Sequence, residues 1–208
     1  MSEIQELTEV LSKRTKKTLI YGVGFNDSPT PVVETVFGKL VTCPYYRVWT
    51  RMLERCYSAK SLAAKPSYIG CTVAPTWHSF SNFKLWMQEQ DWKNKELDKD
   101  ILVKDNKVYS PETCLFVSHH VNVLLIKNTK PESTRLKLGV YLDNTGNKFV
   151  AKCNNGIKAI HLGTFKTEDE AHLTYLKFKK IVIQNLANEQ TDLRLKQALL
   201  TIANSYTI

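Results

Sequence analysis

Apolar residues recur at helical spacing in two places in the first half of the chain. Tyr45, Trp49, Met52, Leu53 and Cys56 share one side of a 3.6-residue repeat and predict a helix over 45–57. Phe80, Phe83, Trp86 and Met87 do the same for a helix over 79–90. The run from Glu96 to Val103 lacks that repeat and reads as a strand, turning at Lys104-Asp105-Asn106-Lys107. Ser110-Pro111-Glu112 predicts a helix start, with Ser as cap and Pro in the first turn.

In the second half the pattern changes. Segments at about 138–142, 148–153 and 158–163 alternate apolar and polar positions and predict three antiparallel strands. Asp143-Asn144-Thr145-Gly146-Asn147 and Asn154-Asn155-Gly156 supply the turns. A helix from Thr167 follows, with Glu168, Asp169 and Glu170 at its positive end. Its sheet-facing side is expected to carry Ala171, Tyr175, Phe178 and Ile181 or Val182. A last helix is expected over 192–203 and a short first one over 4–11. Residues 22–31 and 65–70 read as loop and turn, and the polar, proline-containing stretch 128–135 as a linker.

Charge sharpens the picture. The 208 residues carry 29 Lys and Arg against 20 Asp and Glu, a net charge of +9. The excess falls on residues 41–90 and again after 131, which points to a polyanionic partner, nucleic acid first. The cluster Lys13-Arg14-Thr15-Lys16-Lys17 suits either phosphate contact or a solvated helix end. No stretch approaches the roughly 20 apolar residues that span a bilayer. The first residues lack the order of a signal peptide, so the expectation is a soluble cytoplasmic protein. Five cysteines, with no Cys-x-x-Cys pair, predict buried reduced thiols rather than disulfides or a zinc site.

Leu138-Gly139-Val140-Tyr141, Lys148-Phe149-Val150-Ala151-Lys152, Ile160-His161-Leu162-Gly163-Thr164-Phe165 and Thr167-Glu168-Asp169-Glu170-Ala171 occur in order over about 45 residues. This order resembles the plant ethylene-response-factor DNA-binding domain, whose relatives also occur in phage-borne endonucleases. The resemblance implies a three-stranded antiparallel sheet, backed by one helix and laid into the DNA major groove. Its DNA-contacting face would carry Tyr141, Lys148, Lys152, Asn154 and His161, with Lys137 and Lys158 beside them. The plant proteins use arginines and tryptophans there, so their target sequence does not carry over. Alternation along the strands independently puts Lys148, Lys152 and Asn154 on one face.

Upstream, the run Tyr46 to Tyr57, Tyr68-Ile69-Gly70-Cys71-Thr72-Val73, Leu97-Asp98-Lys99-Asp100 and Tyr109-Ser110-Pro111-Glu112-Thr113-Cys114-Leu115-Phe116-Val117 resemble phage-borne HNH-type homing endonucleases. That family builds two strands and a helix around one divalent cation, which neutralises phosphate charge while a base activates water. The resemblance places Asp98 and Asn122 as ligands for Mg²⁺ or Mn²⁺. Lys99 stands where the family has its general-base His, and a protonated lysine accepts no proton. Asp100, His119 and His120 are substitutes, and Thr113 replaces the family's central Asn. Arg47, Arg51 and Arg55, four apart on one helix, suit either a phosphate backbone or a solvated face.

The expected protein is therefore α+β. It has an N-terminal helix and loop (1–40), an HNH-like ββα-metal nuclease module with helical flanks (41–128), a three-stranded sheet packed on one helix (135–186) and a terminal helix (187–208). The expected function is metal-dependent, sequence-specific cleavage or nicking of double-stranded DNA. The alternative is a catalytically inactive relative that binds its site as a transcriptional repressor, which the lysine at 99 favours. A third reading is an RNA-binding or structural accessory factor. Oligomeric state is not legible from the sequence.

Overall fold

The computed structural model describes residues 19–125 and 136–206. The expected helix over 4–11, the basic cluster at 13–17 and the linker at 128–135 lie outside them. The elements, in chain order, are β1 (Val33–Val36), β2 (Lys39–Thr42), α1 (Pro44–Tyr57), α2 (Ala59–Ala64), β3 (Thr72–Val73), α3 (Phe80–Gln88), β4 (Lys95–Asp98), β5 (Val108–Tyr109), β6 (Leu115–Ser118), α4 (His119–Leu125), β7 (Val140–Leu142), β8 (Phe149–Asn154), β9 (Ala159–Phe165), α5 (Glu168–Asn188) and α6 (Leu193–Asn204). The protein is mixed α+β and includes a three-stranded antiparallel sheet. Among the described residues no helix is long and apolar enough to cross a membrane.

The chain forms two compact units. The first takes residues up to Trp92 and returns for Asp105–Cys114; the second takes Lys93–Lys104 and everything from Leu115. The second unit thus draws on both sides of the linker read from the sequence.

The first unit has an aromatic core. Trp49, Met52, Leu53 and Cys56 are buried along α1, as their spacing predicts. Trp49 Nε1 donates to the Trp77 carbonyl at 2.7 Å, so the buried indole keeps its hydrogen bond. Phe80, Phe83 and Met87 of α3 complete the core, and Trp86 lies half-buried against Trp77. Gly24 passes this core so closely that a Cβ there would meet Leu53 at 2.4 Å. Ahead of α1 stands the β1–β2 hairpin, paired Val36 with Lys39 across the two-residue turn Phe37-Gly38. Both turn residues have positive φ, +49° and +75°. Gly38 suits that; for Phe37 the left-handed conformation costs about 1 kcal/mol.

The second unit has two apolar clusters. In one, Ile101, Leu115 and Val117 pack with Val121 and Leu124 of α4, Ile183, Leu186 and Ala187 of α5, and Leu195, Leu199 and Ala203 of α6. In the other, Val140 and Ala151 of the sheet pack on Ala171 of α5. The helix α5 opens with a capping box in which Thr167 and Glu170 bond each other's backbone N–H, as the acidic first turn suggested.

Three elements differ from the sequence expectation. The strand expected through Val103 ends at Asp98, because the Asp98 carboxylate accepts the N–H groups of Asp100 and Ile101 and turns the chain. Ser110-Pro111-Glu112 makes a single turn, not a helix; Leu115-Phe116-Val117 then pairs with β4 as a buried strand, and the helix begins at His119. On α5 the inward line after Tyr175 runs through Lys179 and Ile183, while Ile181 is exposed and Phe178 only partly covered. Lys179 is buried with its ammonium bonded to α4, donating to the Leu124 carbonyl at 2.5 Å. The five cysteines are free thiols, four of them buried and Cys43 half-buried.

Candidate nucleic-acid interface

The sheet β7-β8-β9 has one face on α5 and one face open. Register sets Tyr141 beside Val150 and Thr164, Lys152 beside His161, and Asn154 beside Ala159. Directly paired residues share a face, so these positions lie on the open side, where Val150 alone is buried. Tyr141, Lys152, Asn154, His161 and Thr164 are exposed. The Lys152 ammonium sits 5.6 Å from the centre of the Tyr141 ring, a cation–π pair that holds the lysine over the face. Lys148 is exposed just ahead of β8, on the same alternation as Lys152. Lys158 is exposed in the β8–β9 turn, where its N–H and that of Ile157 bond the Asn155 side chain.

Asn154 presents half of its amide. Its Oδ1 accepts the Gly156 N–H at 2.7 Å, leaving the NH₂ group as the outward donor. Asp143, in the β7–β8 turn, is turned into its own loop, accepting the N–H groups of Asn147 and Lys148.

Thr164 escaped the sequence reading. Counting alternately from His161 sends Thr164 to the helix side and Phe165 outward. The register shift between Ala151 and Lys152 leaves Leu162 as an extra residue in β9 and reverses that order. Phe165 therefore packs toward α5 and Thr164 faces out. The available signal was Gly163, whose φ of +143° marks the irregularity.

Two residues assigned to DNA contact have structural partners instead. Lys137 bonds Asp169, and its backbone N–H bonds Glu168, which pins the approach to β7 against the start of α5. In the first unit, Arg47 and Arg51 are exposed along α1. Arg55 is not: it lies 5.8 Å from the Tyr68 ring centre and hydrogen-bonds the buried Tyr109 hydroxyl. Burial pushes the Tyr109 phenol strongly up, and Arg55 opposes that shift.

The other candidate site lies in β4, β6 and α4: β4 and β6 pair antiparallel, α4 follows β6 directly, and the intervening β5 belongs to the first unit, paired with β3. Asp98 ends β4, and Glu96, two residues earlier, shares its strand face. Glu96 is the hub that the sequence did not single out. His119 Nδ1 lies 2.7 Å from its Oε1, and the Asn122 amide donates to its Oε2. Asp98 is instead occupied by backbone, its Oδ1 accepting from Asp100 and Ile101 at 2.8 Å each. Burial pushes the Asp98 carboxyl above its usual range, against the pull of those two N–H groups. Lys99 is buried and donates to Asp100 at 2.5 Å, the opposite of a base's role. His120 turns elsewhere, its Nε2 2.8 Å from the Asn155 carbonyl in the β8–β9 turn.

These residues do not fit a divalent cation as they stand. The Asn122 amide is spent on Glu96 rather than joined to Asp98. Among the described residues no group of three His, Cys, Asp or Glu comes together to hold a metal ion.

Comparison with protein-family models, curated proteins and solved structures returns no match. The two resemblances noted from the sequence therefore stand on its motifs alone.

Proposed function

We propose that the protein binds double-stranded DNA at chosen sites through the open face of β7-β8-β9. The observation carrying this reading is the row Tyr141, Lys152, His161 and Asn154, side by side and exposed, with no carboxylate among them. A two- or three-stranded ribbon fits the major groove, and Lys, Asn and His side chains there reach base edges. Arg47 and Arg51 offer further phosphate contacts. Such a protein acts by occupancy, as a repressor does.

The test is selection from a pool of random duplexes, with recovered sequences read after several rounds. The expected result is enrichment of one motif, competed by duplex DNA and not by RNA. A pool that stays random, or RNA competing equally well, would contradict it.

One observation favours endonuclease activity as a second reading: the antiparallel pair β4–β6 with α4 directly after β6, and Glu96 and Asp98 on one strand face. Incubation of a supercoiled plasmid carrying the selected motif, with Mg²⁺ or Mn²⁺ and with EDTA, decides it. Metal-dependent nicking that disappears in Asp98→Ala supports cleavage. Intact plasmid leaves binding as the function.

A further inference from the structure

We propose that the β1–β2 hairpin is a DNA wedge whose tip, Phe37, inserts between stacked base pairs and bends the duplex. The proposal rests on the DNA-binding reading above and adds a second kind of contact to it.

The hairpin is an arm rather than part of a core. Among the described residues β1 and β2 pair only with each other, and seven of their eight residues are exposed, Thr42 alone being half-covered. An isolated two-stranded hairpin is marginal in water, so its exposed apolar side chains call for a partner. Those side chains are Val33, Val36, Leu40, Val41 and, fully exposed at the tip, Phe37.

The tip is the unusual part. A two-residue turn with positive φ at both positions favours Asn-Gly or Asp-Gly. Here the first position holds Phe, which has no polar group to bond the turn and gains no burial. Neither turn geometry nor packing accounts for a phenyl ring at this place; an outside surface that takes an apolar wedge does.

Charge names that surface. Lys39 adjoins the turn, opposite Val36, while the hairpin's acid, Glu34, lies towards its base opposite Val41. The positive charge is thus at the entering end. Beyond the base, after Cys43, the chain enters α1 with exposed Arg47 and Arg51. Four residues of strand give an arm of about 13 Å, long enough for a minor groove roughly 7.5 Å deep. Phe is among the side chains that unstack a base step from that groove and kink the duplex toward the major groove.

The experiment uses the full chain and a mixed-sequence duplex of about 30 base pairs with a fluorescent donor and acceptor at its two ends. EDTA is present, so no strand is cut. Wild type is expected to raise energy transfer as the ends approach. Phe37→Asn, which suits the turn better than Phe and so keeps the hairpin, should bind within about threefold because phosphate contacts remain. Its energy transfer should stay at the free-duplex level. Phe37→Leu, still an apolar wedge, should retain most of the rise. If the variant bends DNA as wild type does, or wild type binds without bending, the wedge is wrong while DNA binding stands. If no duplex binds, both fail. Phe37-dependent sedimentation with anionic phospholipid vesicles, without bending of DNA, would assign the tip to a membrane and overturn the proposal.

Discussion

Asp98 sits in a position where an ionised carboxylate is costly. It is half-buried, and desolvation raises its folded-state pKa above the ordinary 3.8. Below about pH 4 the group is protonated in folded and unfolded chain alike, and it costs nothing. As pH rises through the raised folded value, the native state is forced to ionise a half-buried group and loses stability relative to the unfolded chain. Asp98→Asn keeps an oxygen for the Asp100 and Ile101 N–H groups and removes the charge. Urea midpoints should therefore favour the variant at pH 7, with the advantage fading towards pH 4. A wild type that is more stable than the variant at pH 7 would show that the charge is needed where it lies. Gly156 is constrained differently. It has φ +94°, and a Cβ there would fall 1.9 Å from the His120 ring. Gly156→Ala should lower stability by about 2 kcal/mol or more, since backbone strain and a clash act together. The hydrogen bond from His120 to the Asn155 carbonyl would break first, visible as faster amide exchange in α4. His120→Ala in the same chain should recover part of the stability.

At the scale of elements, burial patterns decided what was legible. The helix α1 was readable because four large side chains repeat at its period and nothing competes with it. The sheet β7-β8-β9 was readable because turn residues and alternation agree. The strand β4 was overextended because Ile101-Leu102-Val103 looks like a continuation, whereas Ile101 is drawn back into the core by a side-chain turn at Asp98. The segment 110–118 was misread because Ser-Pro-Glu is a strong local start signal; the gain from pairing Leu115-Phe116-Val117 with β4 outweighs it. The inward place of Lys179 was not read from the sequence, because the Leu124 carbonyl it bonds comes close only in the fold. Burial lowers its pKa, the cost of that placement. Of the candidate sites, the open sheet face followed from strand alternation, while Glu96 did not. Its role depends on how α4 lies over β4, and that is set by the apolar cluster beneath.

At the scale of the molecule, the second unit holds β4, β6 and α4 together with the three-stranded sheet through α5, which contributes to both apolar clusters. The Lys179 and His120 bonds tie α4 to α5 and to the β8–β9 turn. A ligand on the open sheet face thus rests on the same body that carries Glu96 and Asp98. On the proposed function, this face holds duplex DNA. The direct test is the dissociation constant for the selected duplex between about 50 and 200 mM salt, for wild type and for the double variant Lys152→Ala, His161→Ala. Both side chains are exposed, so the variant should keep its melting temperature. Wild type should bind with steep salt dependence, and the variant should bind more weakly by about tenfold or more with a shallower salt slope. Equal affinity and equal slope in the two proteins would contradict it and move the DNA, if bound at all, to another surface.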